Sequence, residues 1–346
     1  MTITRADHRT EILPLTALDG RALTLVHVQG PERPHRGPVL LVHGTSVRAE
    51  LFRPPTKKTL VDALLEAGWD VWLLNWRASI DFDPVPYTLD EAAAYDHPAA
   101  VQAVLEHTGA QRLKAVVHCA GSISFTMAAT AGLLPKVDTI VSNGASLHIS
   151  VPAWSRIKIN TMLPQLRHFT PYLSPAWGNH AEGMLAQALV LTVRATHFEC
   201  HNTVCRMVSF IYGTGWPALW SHRNLDDATH DWLRGEFGEA PMTFFQQAAR
   251  CIGAGHVVSV KQLPGLPNSY IDDPPKTEAR FALITGAENG CWAPESQRRT
   301  YAFLTQSRPQ AGHTLHIFPG YKHIDLLIGK NAARDVYPTI LQELAT

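Results

Sequence analysis

Lys114–Ala128 reads KAVVHCAGSISFTMA: an apolar strand-like run, a cluster of small residues, then a helix-like run. A strand feeding a helix through so tight a turn forms a nucleophile elbow. The apex residue is pushed out of the backbone, and the chain folds back only where its neighbours are small. Two registers fit. Cys119 at the apex has Val117 before it and Gly121 after it, whereas Ser122 at the apex is flanked by Ala120 and Ser124. The Cys119 register is preferred, because Ala115–Val117 then run straight into the apex, His118 precedes it, and Gly121 and Ser122 fall in the first helical turn. A helix N-terminus behind the thiol favours its thiolate. A lone Cys at a strand end is more commonly a small buried filler, so this reading rests on the other motifs around it.

Upstream of the elbow, Ile12–Gly30 reads as a hairpin turning at Ala17–Gly20, and Val39–Val42 is a short, wholly apolar run suited to a strand buried on both faces. His43-Gly44-Thr45 follows it. A Gly ending such a strand permits a backbone turn that presents an N–H to a developing oxyanion, here that of Thr45, with Ala120 as the second donor. Thr59–Ala67 predicts a helix, Asp70–Asn75 a buried strand, Leu89–Thr108 a helix stopped by Gly109, and Val137–Val141 another strand.

From 151 to 260 the rhythm changes to apolar-aromatic segments broken by Pro, Gly, His and Trp. Alternation returns with a strand at Arg280–Thr285, a helix at Gln297–Thr305, a strand at Thr314–Phe318 and a helix at Ala332–Leu344. Strands alternating with helices predict an α/β fold with a mostly parallel sheet covered on both faces. Its core spans 1–150 and 261–346, and residues 151–260 form an inserted helical cap.

The 346 residues carry 30 basic and 30 acidic side chains, so no charge excess points to nucleic acid. A polar, charged start and no apolar span of about 18 residues predict a soluble, cytoplasmic protein with no membrane span. Five scattered Cys read as reduced thiols rather than a disulfide framework.

His323 lies in the loop after the last strand, where a base returning to the elbow belongs in the chain order nucleophile, acid, His. It would take the thiol proton and later protonate a leaving group or activate water. Asp325, two residues on, is poorly placed to orient its own neighbour. The strand Arg280–Thr285 ends in Gly286-Ala287-Glu288-Asn289, and either Glu288 or Asn289 fills the orienting position. A thiolate–imidazolium pair needs only a hydrogen-bond acceptor there, so Asn suffices for Cys chemistry.

VHGT (42–45), VHCAG (117–121), GAEN (286–289) and GYKHIDLLIG (320–329) together resemble the α/β-hydrolase superfamily over nearly the whole chain. EAAAYDHPAAVQAVLEHTG (91–109) and the HIDLLIG…VYPTI ending are similar to the acid-lipase-like branch, while an apical Cys is similar to polyhydroxyalkanoate synthases and dienelactone hydrolases. The HCAGS elbow and GAEN turn most resemble the hydrolase domains associated with cholesterol-oxidase-like GMC flavoenzymes. That resemblance implies a possible GMC-type oxidoreductase partner. The Rossmann glycine fingerprint is absent, so no flavin, cofactor or oxidoreductase activity is carried over. The chain departs from the superfamily at Val117, usually Gly, and at position 289, usually Asp.

Trp154, Met162, Leu163, Trp177, Trp216 and Trp220 would give the cap an apolar surface, with Trp154, Met162 and Trp216 as candidate substrate contacts for a bulky lipophilic group. His197, Cys200, His201 and Cys205 would share one stripe if helical, but a single straight stripe closes a tetrahedron poorly; no metal is expected and a packed cap helix is. The chemistry expected is acyl transfer: hydrolysis of an ester, lactone or thioester through a Cys119 acyl-enzyme with His323 as base. Acyltransferase or cyclase action through the same pair, and a non-catalytic binding module, are the alternatives.

Overall fold

In the computed structural model, which describes residues 8–214 and 216–346, the strands are β1 (Arg9–Thr16), β2 (Ala22–Gln29), β3 (Pro38–Val42), β4 (Asp70–Asn75), β5 (Leu113–His118) and β6 (Val137–Asn143), then β7 (Tyr172–Leu173), β8 (Ala240–Pro241), β9 (Arg280–Gly286) and β10 (Thr314–Phe318). Eight form one sheet in the order β1-β2-β4-β3-β5-β6-β9-β10, and β7 and β8 pair separately. The β1–β2 hairpin joins antiparallel, and all pairings from β4 to β10 are parallel. Every residue of β3 is buried, as helices on both faces of a parallel sheet require.

The chain leaves β3 for β4 on one side, then returns to lay β5 on the other, with Val42 opposite Val117. This reversal brings the loops after β3 and β5 side by side at the strands' C-terminal ends, where open α/β sheets bind their ligands. At the far side β9 and β10 pair through Gly286 and Phe318, so the turn carrying Asn289 and the loop carrying His323 begin as neighbours.

Thr59 starts the helix Leu60–Glu66 through a reciprocal capping box with Asp62. Two expected helices are broken. Leu89–Thr108 contains a π turn at Ala92–Asp96 before its longest segment, His97–Thr108. Pro98 has no N–H for the ordinary bond to Ala94, and the His97 N–H reaches Ala92 O instead. Likewise Ala332–Leu344 divides into Ala332–Asp335 and Tyr337–Ala345, with Pro338 at the restart. Between β6 and β9 run the helices Ala153–Leu166, Gly183–Thr196, Thr203–Tyr212, Asp227–Trp232 and Met242–Ala254. No helix among the described residues is long and apolar enough to cross a membrane.

Gly121, in the first turn of the helix Cys119–Thr130, is where sheet and helix approach most closely. A Cβ there would lie 2.1 Å from the carbonyl oxygen of His43, a backbone atom that cannot swing aside. Gly121→Ala should therefore destabilise the fold strongly. Gly253→Ala, on the exposed end of a helix with nothing within 4 Å, should add about 0.5 kcal/mol. Denaturant melts of both variants check the contrast, and equal effects would refute the close-approach argument.

Candidate active site

His118 ends β5 in extended conformation, at φ −128° and ψ 137°. Cys119, the first residue of the helix Cys119–Thr130, then turns the chain at φ 55°. Among the described residues only Cys119 and Ser46, at φ 57°, are non-glycines with positive φ. Both stand on the paired loops after β3 and β5, so the backbone strain is confined to two walls of one site. The register is resolved by what surrounds Ser122. Its hydroxyl is wholly buried, donating to Ala145 O at 2.7 Å and lying 2.7 Å from Ser142 Oγ, while Cys119 occupies the apex.

One ring nitrogen each of His118 and His323 and the Cys119 Sγ all lie within 4.8 Å of one another. His323 is fully buried. Gly144 leaves room for its ring: a Cβ there would stand 2.7 Å from His323 Cε1. The backbone N–H groups of His323 and Ile324 both donate to Leu219 O, at 3.0 and 2.9 Å. Asp325 does not touch the imidazole. Its carboxylate accepts from Ser221 N, Asn224 Nδ2 and Lys322 N, tying the His323 loop to the strap at 219–224.

Asn289, not Glu288, meets the imidazole. Glu288 is exposed and pairs with Arg223 at 2.8 Å, which removes it from the site. Asn289 Oδ1 accepts from the backbone N–H groups of Cys291 and Trp292, at 3.0 and 3.2 Å. Those two donors fix the amide's orientation, leaving Nδ2 to donate to His323 Nδ1 at 3.0 Å. The expectation that Asn accepts from the ring is thus reversed. Nδ1 is an acceptor, the proton sits on Nε2, and Nε2 has no hydrogen-bond partner.

The Cys119 thiol is held well below the ordinary thiol range. The chief cause is a hydrogen bond from Cys291; burial opposes it, and the neighbouring His323 and Trp292 side chains add to the lowering. Cys291, as donor, is pushed well above that range. His118, whose Nδ1 lies 3.0 Å from Asn143 Nδ2, is pushed far down by burial and by the neighbouring His323 and His43. It packs against His323 at 4.7 Å between ring centroids. The Thr45 hydroxyl is tied to Tyr87 OH, and Ala120 is fully buried behind the apex.

A narrow cavity of about 50 Å³ opens at Cys119, walled by Ile159, Tyr212, Phe244, Phe245 and Ile252, with Lys158 among them. Burial lowers the Lys158 amine to about 8; it donates to Gly213 O at 2.7 Å. A larger cavity of about 550 Å³, walled in part by Trp177, does not include Cys119. The substrate contacts expected from aromatic content are corrected. Trp154 is 69% exposed and Trp216 is 55% exposed, Met162 is half-buried, and none lines the Cys119 cavity. Trp220 and Leu163 are core residues.

Sequence reading passed over Cys291 and Trp292, although both directly follow the GAEN turn. It passed over Lys158 and the two Phe as well, because nothing in a helical pattern says which apolar face looks down on an elbow. The stretch 197–205 is also not one helix. His197 caps the end of Gly183–Thr196, Cys200 and His201 lie in the following loop, and Cys205 is in the next helix. His197 packs against Phe210 and Trp216 instead.

A family model described as the alpha/beta hydrolase fold matches residues 37–329, and the chain belongs to that family. Among curated proteins, sterol esterase 2 of Saccharomyces cerevisiae is 29% identical over 121 residues, covering 30% of this chain and 22% of its own length. This chain therefore matches only about a fifth of that relative. A monoacylglycerol lipase of Paleococcus ferrophilus has a TM-score of 0.57 at 13% identity, covering 97% of this chain and 98% of its own. A carboxyl esterase of Bacillus coagulans has a TM-score of 0.57 at 15% identity with the same coverage. These last two likenesses are of fold.

The arrangement around Sγ carries a titration test. Alkylation of Cys119 by iodoacetamide, followed by peptide mass spectrometry across pH, should keep its rate below the pH at which an ordinary thiol loses reactivity. Cys291→Ala removes the largest lowering contribution, so its midpoint should move upward. An unchanged midpoint would show that Cys291 does not donate to the sulfur.

Proposed function

We propose that this chain is a Cys-dependent acyl-transfer enzyme acting on an ester, lactone or thioester with a lipophilic acyl group. One observation carries the reading: a low-pKa thiol on a strained apex, beside a buried imidazole whose Nε2 has no other partner. Strain of this kind is retained where the surrounding structure enforces it, most often at functional sites. The apolar cavity at Cys119 and the match to a sterol esterase support a lipophilic ester-like substrate.

In this reading the Cys119 thiolate attacks the carbonyl carbon and forms the C–S bond. The carbonyl π pair moves to oxygen, which accepts from the backbone N–H groups of Thr45 and Ala120. Collapse expels the leaving group with its bonding pair and leaves the S-acyl enzyme. Water then attacks the acyl carbon and releases one proton to solvent, the C–S bond breaks with its pair going to sulfur, and the carboxylic acid and thiolate separate. An alcohol or amine in place of water makes the same machinery an acyltransferase, and an internal nucleophile makes it a cyclase.

The Asn289 amide bears on the substrate. A proton on Nδ1 would face the N–H of Asn289 rather than an acceptor, so Asn289 offers no acceptor to orient a ring protonated on both nitrogens. Leaving groups that depart without taking a proton, such as thiolates and phenolates, are therefore favoured over simple alkoxides. The same amide favours the second reading, a hydrolase-like module that binds a lipophilic ligand without turning it over.

Intact mass spectrometry after incubation with short-chain thioesters and p-nitrophenyl esters separates the two. An acyl adduct should form, be lost in Cys119→Ala and persist in Ser122→Ala. His323→Ala should slow adduct formation, because a neighbour that favours the Cys119 thiolate is lost. No adduct on any chain length would support the binding module, and an adduct lost only in Ser122→Ala would overturn the elbow register.

Asn289→Asp gives a further expected outcome. One carboxylate oxygen keeps the two backbone donors while the other accepts Nδ1–H, which frees Nε2 as a base. Deacylation measured by stopped-flow should accelerate about tenfold or more; slower deacylation would refute the assigned amide orientation.

A further inference from the structure

Away from the elbow, the two cysteines Cys200 and Cys205 meet two histidines from a later part of the chain. One donor atom each of Cys200, Cys205, His222 and His230 lies within 4.8 Å of every other. Cys200 stands in the loop after the helix Gly183–Thr196, Cys205 in the first turn of Thr203–Tyr212, His222 in the short turn His222–Asn224, and His230 in Asp227–Trp232. Four separate elements thus supply the corners, which removes the difficulty of closing a tetrahedron from one helix.

The dimensions suit a four-coordinate ion. Metal–ligand bonds of about 2.0–2.3 Å give a tetrahedron with edges of roughly 3.3–3.8 Å, and Cys205 Sγ stands 3.4 Å from His222 Nε2. The loop is braced from behind. Arg206 Nε donates to Cys200 O at 2.6 Å, Asn202 Nδ2 to His230 O at 3.2 Å, and Cys205 N to Asn202 Oδ1 at 3.2 Å. One of these ligands and one neighbour lack partners that a cation would supply. His230 Nε2 is sealed from solvent with no partner, and so are both carboxylate oxygens of Glu199, whose charge is felt at Cys205.

We propose that Cys200, Cys205, His222 and His230 form a structural zinc site, binding Zn²⁺ through two thiolates and two imidazoles. Two thiolates match soft, tetrahedral Zn²⁺ rather than Mg²⁺ or Ca²⁺, which take oxygen ligands. With four protein donors no position stays open for substrate, so the ion would act as a staple. Binding releases the two thiol protons, and no oxidant or reductant is involved. The staple joins the helix Thr203–Tyr212 to the strap 219–224, whose Leu219 O holds the backbone of His323. The inference is independent of the acyl-transfer chemistry, because none of its ligands touches Cys119.

The test uses the full chain, purified reduced, incubated with zinc sulfate and desalted. Elemental analysis should find one zinc per chain. Replacement by Co²⁺ should give the intense visible d–d bands of a tetrahedral ion and thiolate-to-cobalt charge transfer. Cys200→Ser and His222→Ala should each weaken zinc binding more than about a hundredfold, while Cys119→Ala and Cys251→Ser keep it. Should the ligand variants fail to fold, the wild-type stoichiometry and cobalt spectrum still decide. The proposal is overturned if reduced wild-type protein retains no zinc, if cobalt gives an octahedral spectrum without charge transfer, if Cys119→Ala abolishes binding, or if Cys200 and Cys205 are found joined as a disulfide.

Discussion

The contact on which the site depends is the one between Gly121 and the carbonyl of His43. It lets the helix after β5 settle against the end of β3, so that two strained loops, one at Ser46 and one at Cys119, face each other across a single gap. Parallel pairing of Val42 with Val117 sets the heights of those loops to within a residue. Any side chain at 121 would push them apart. The cluster of small residues in this part of the sequence is thus a requirement of the sheet–helix approach.

Around the sulfur, the structure replaces one strong base with several modest donors. Cys291, Trp292 and His323 each favour the thiolate, while burial disfavours it. A charge held this way is spread over three neighbours from two loops, both emerging beyond paired strands β9 and β10. The Asn289 amide belongs to the same design, since its oxygen organises the backbone of Cys291 and Trp292 and its nitrogen meets the ring. Orientation of the His323 ring and placement of the Cys291 backbone therefore depend on a single side chain.

The α/β core was legible because buried parallel strands are short, continuous apolar runs, and VLLV and DVWLLN stand out whole at 39–42 and 70–75. The tight turn at Cys119, the loop after β3 and the position of His323 were legible because each lies next to a strand end. The choice between Glu288 and Asn289 was not, since it turns on Arg223, a residue 65 positions away that draws Glu288 outward. The walls of the cavity were hidden for a related reason. Trp154 and Trp216 have the composition of a binding surface but face solvent, while Phe244 and Phe245 are indistinguishable in sequence from ordinary core. Likewise the Cys200 cluster joins residues with no shared periodicity, and only tertiary folding brings His222 and His230 to it.

The oxygen of Leu219 that accepts from both His323 and Ile324 has a consequence for movement. Its strap leads directly from the helices above the elbow, so a displacement large enough to widen the narrow cavity pulls on the peptide that carries the imidazole. The ring's backbone and the segment that follows the helix Thr203–Tyr212 are thus joined through one carbonyl oxygen.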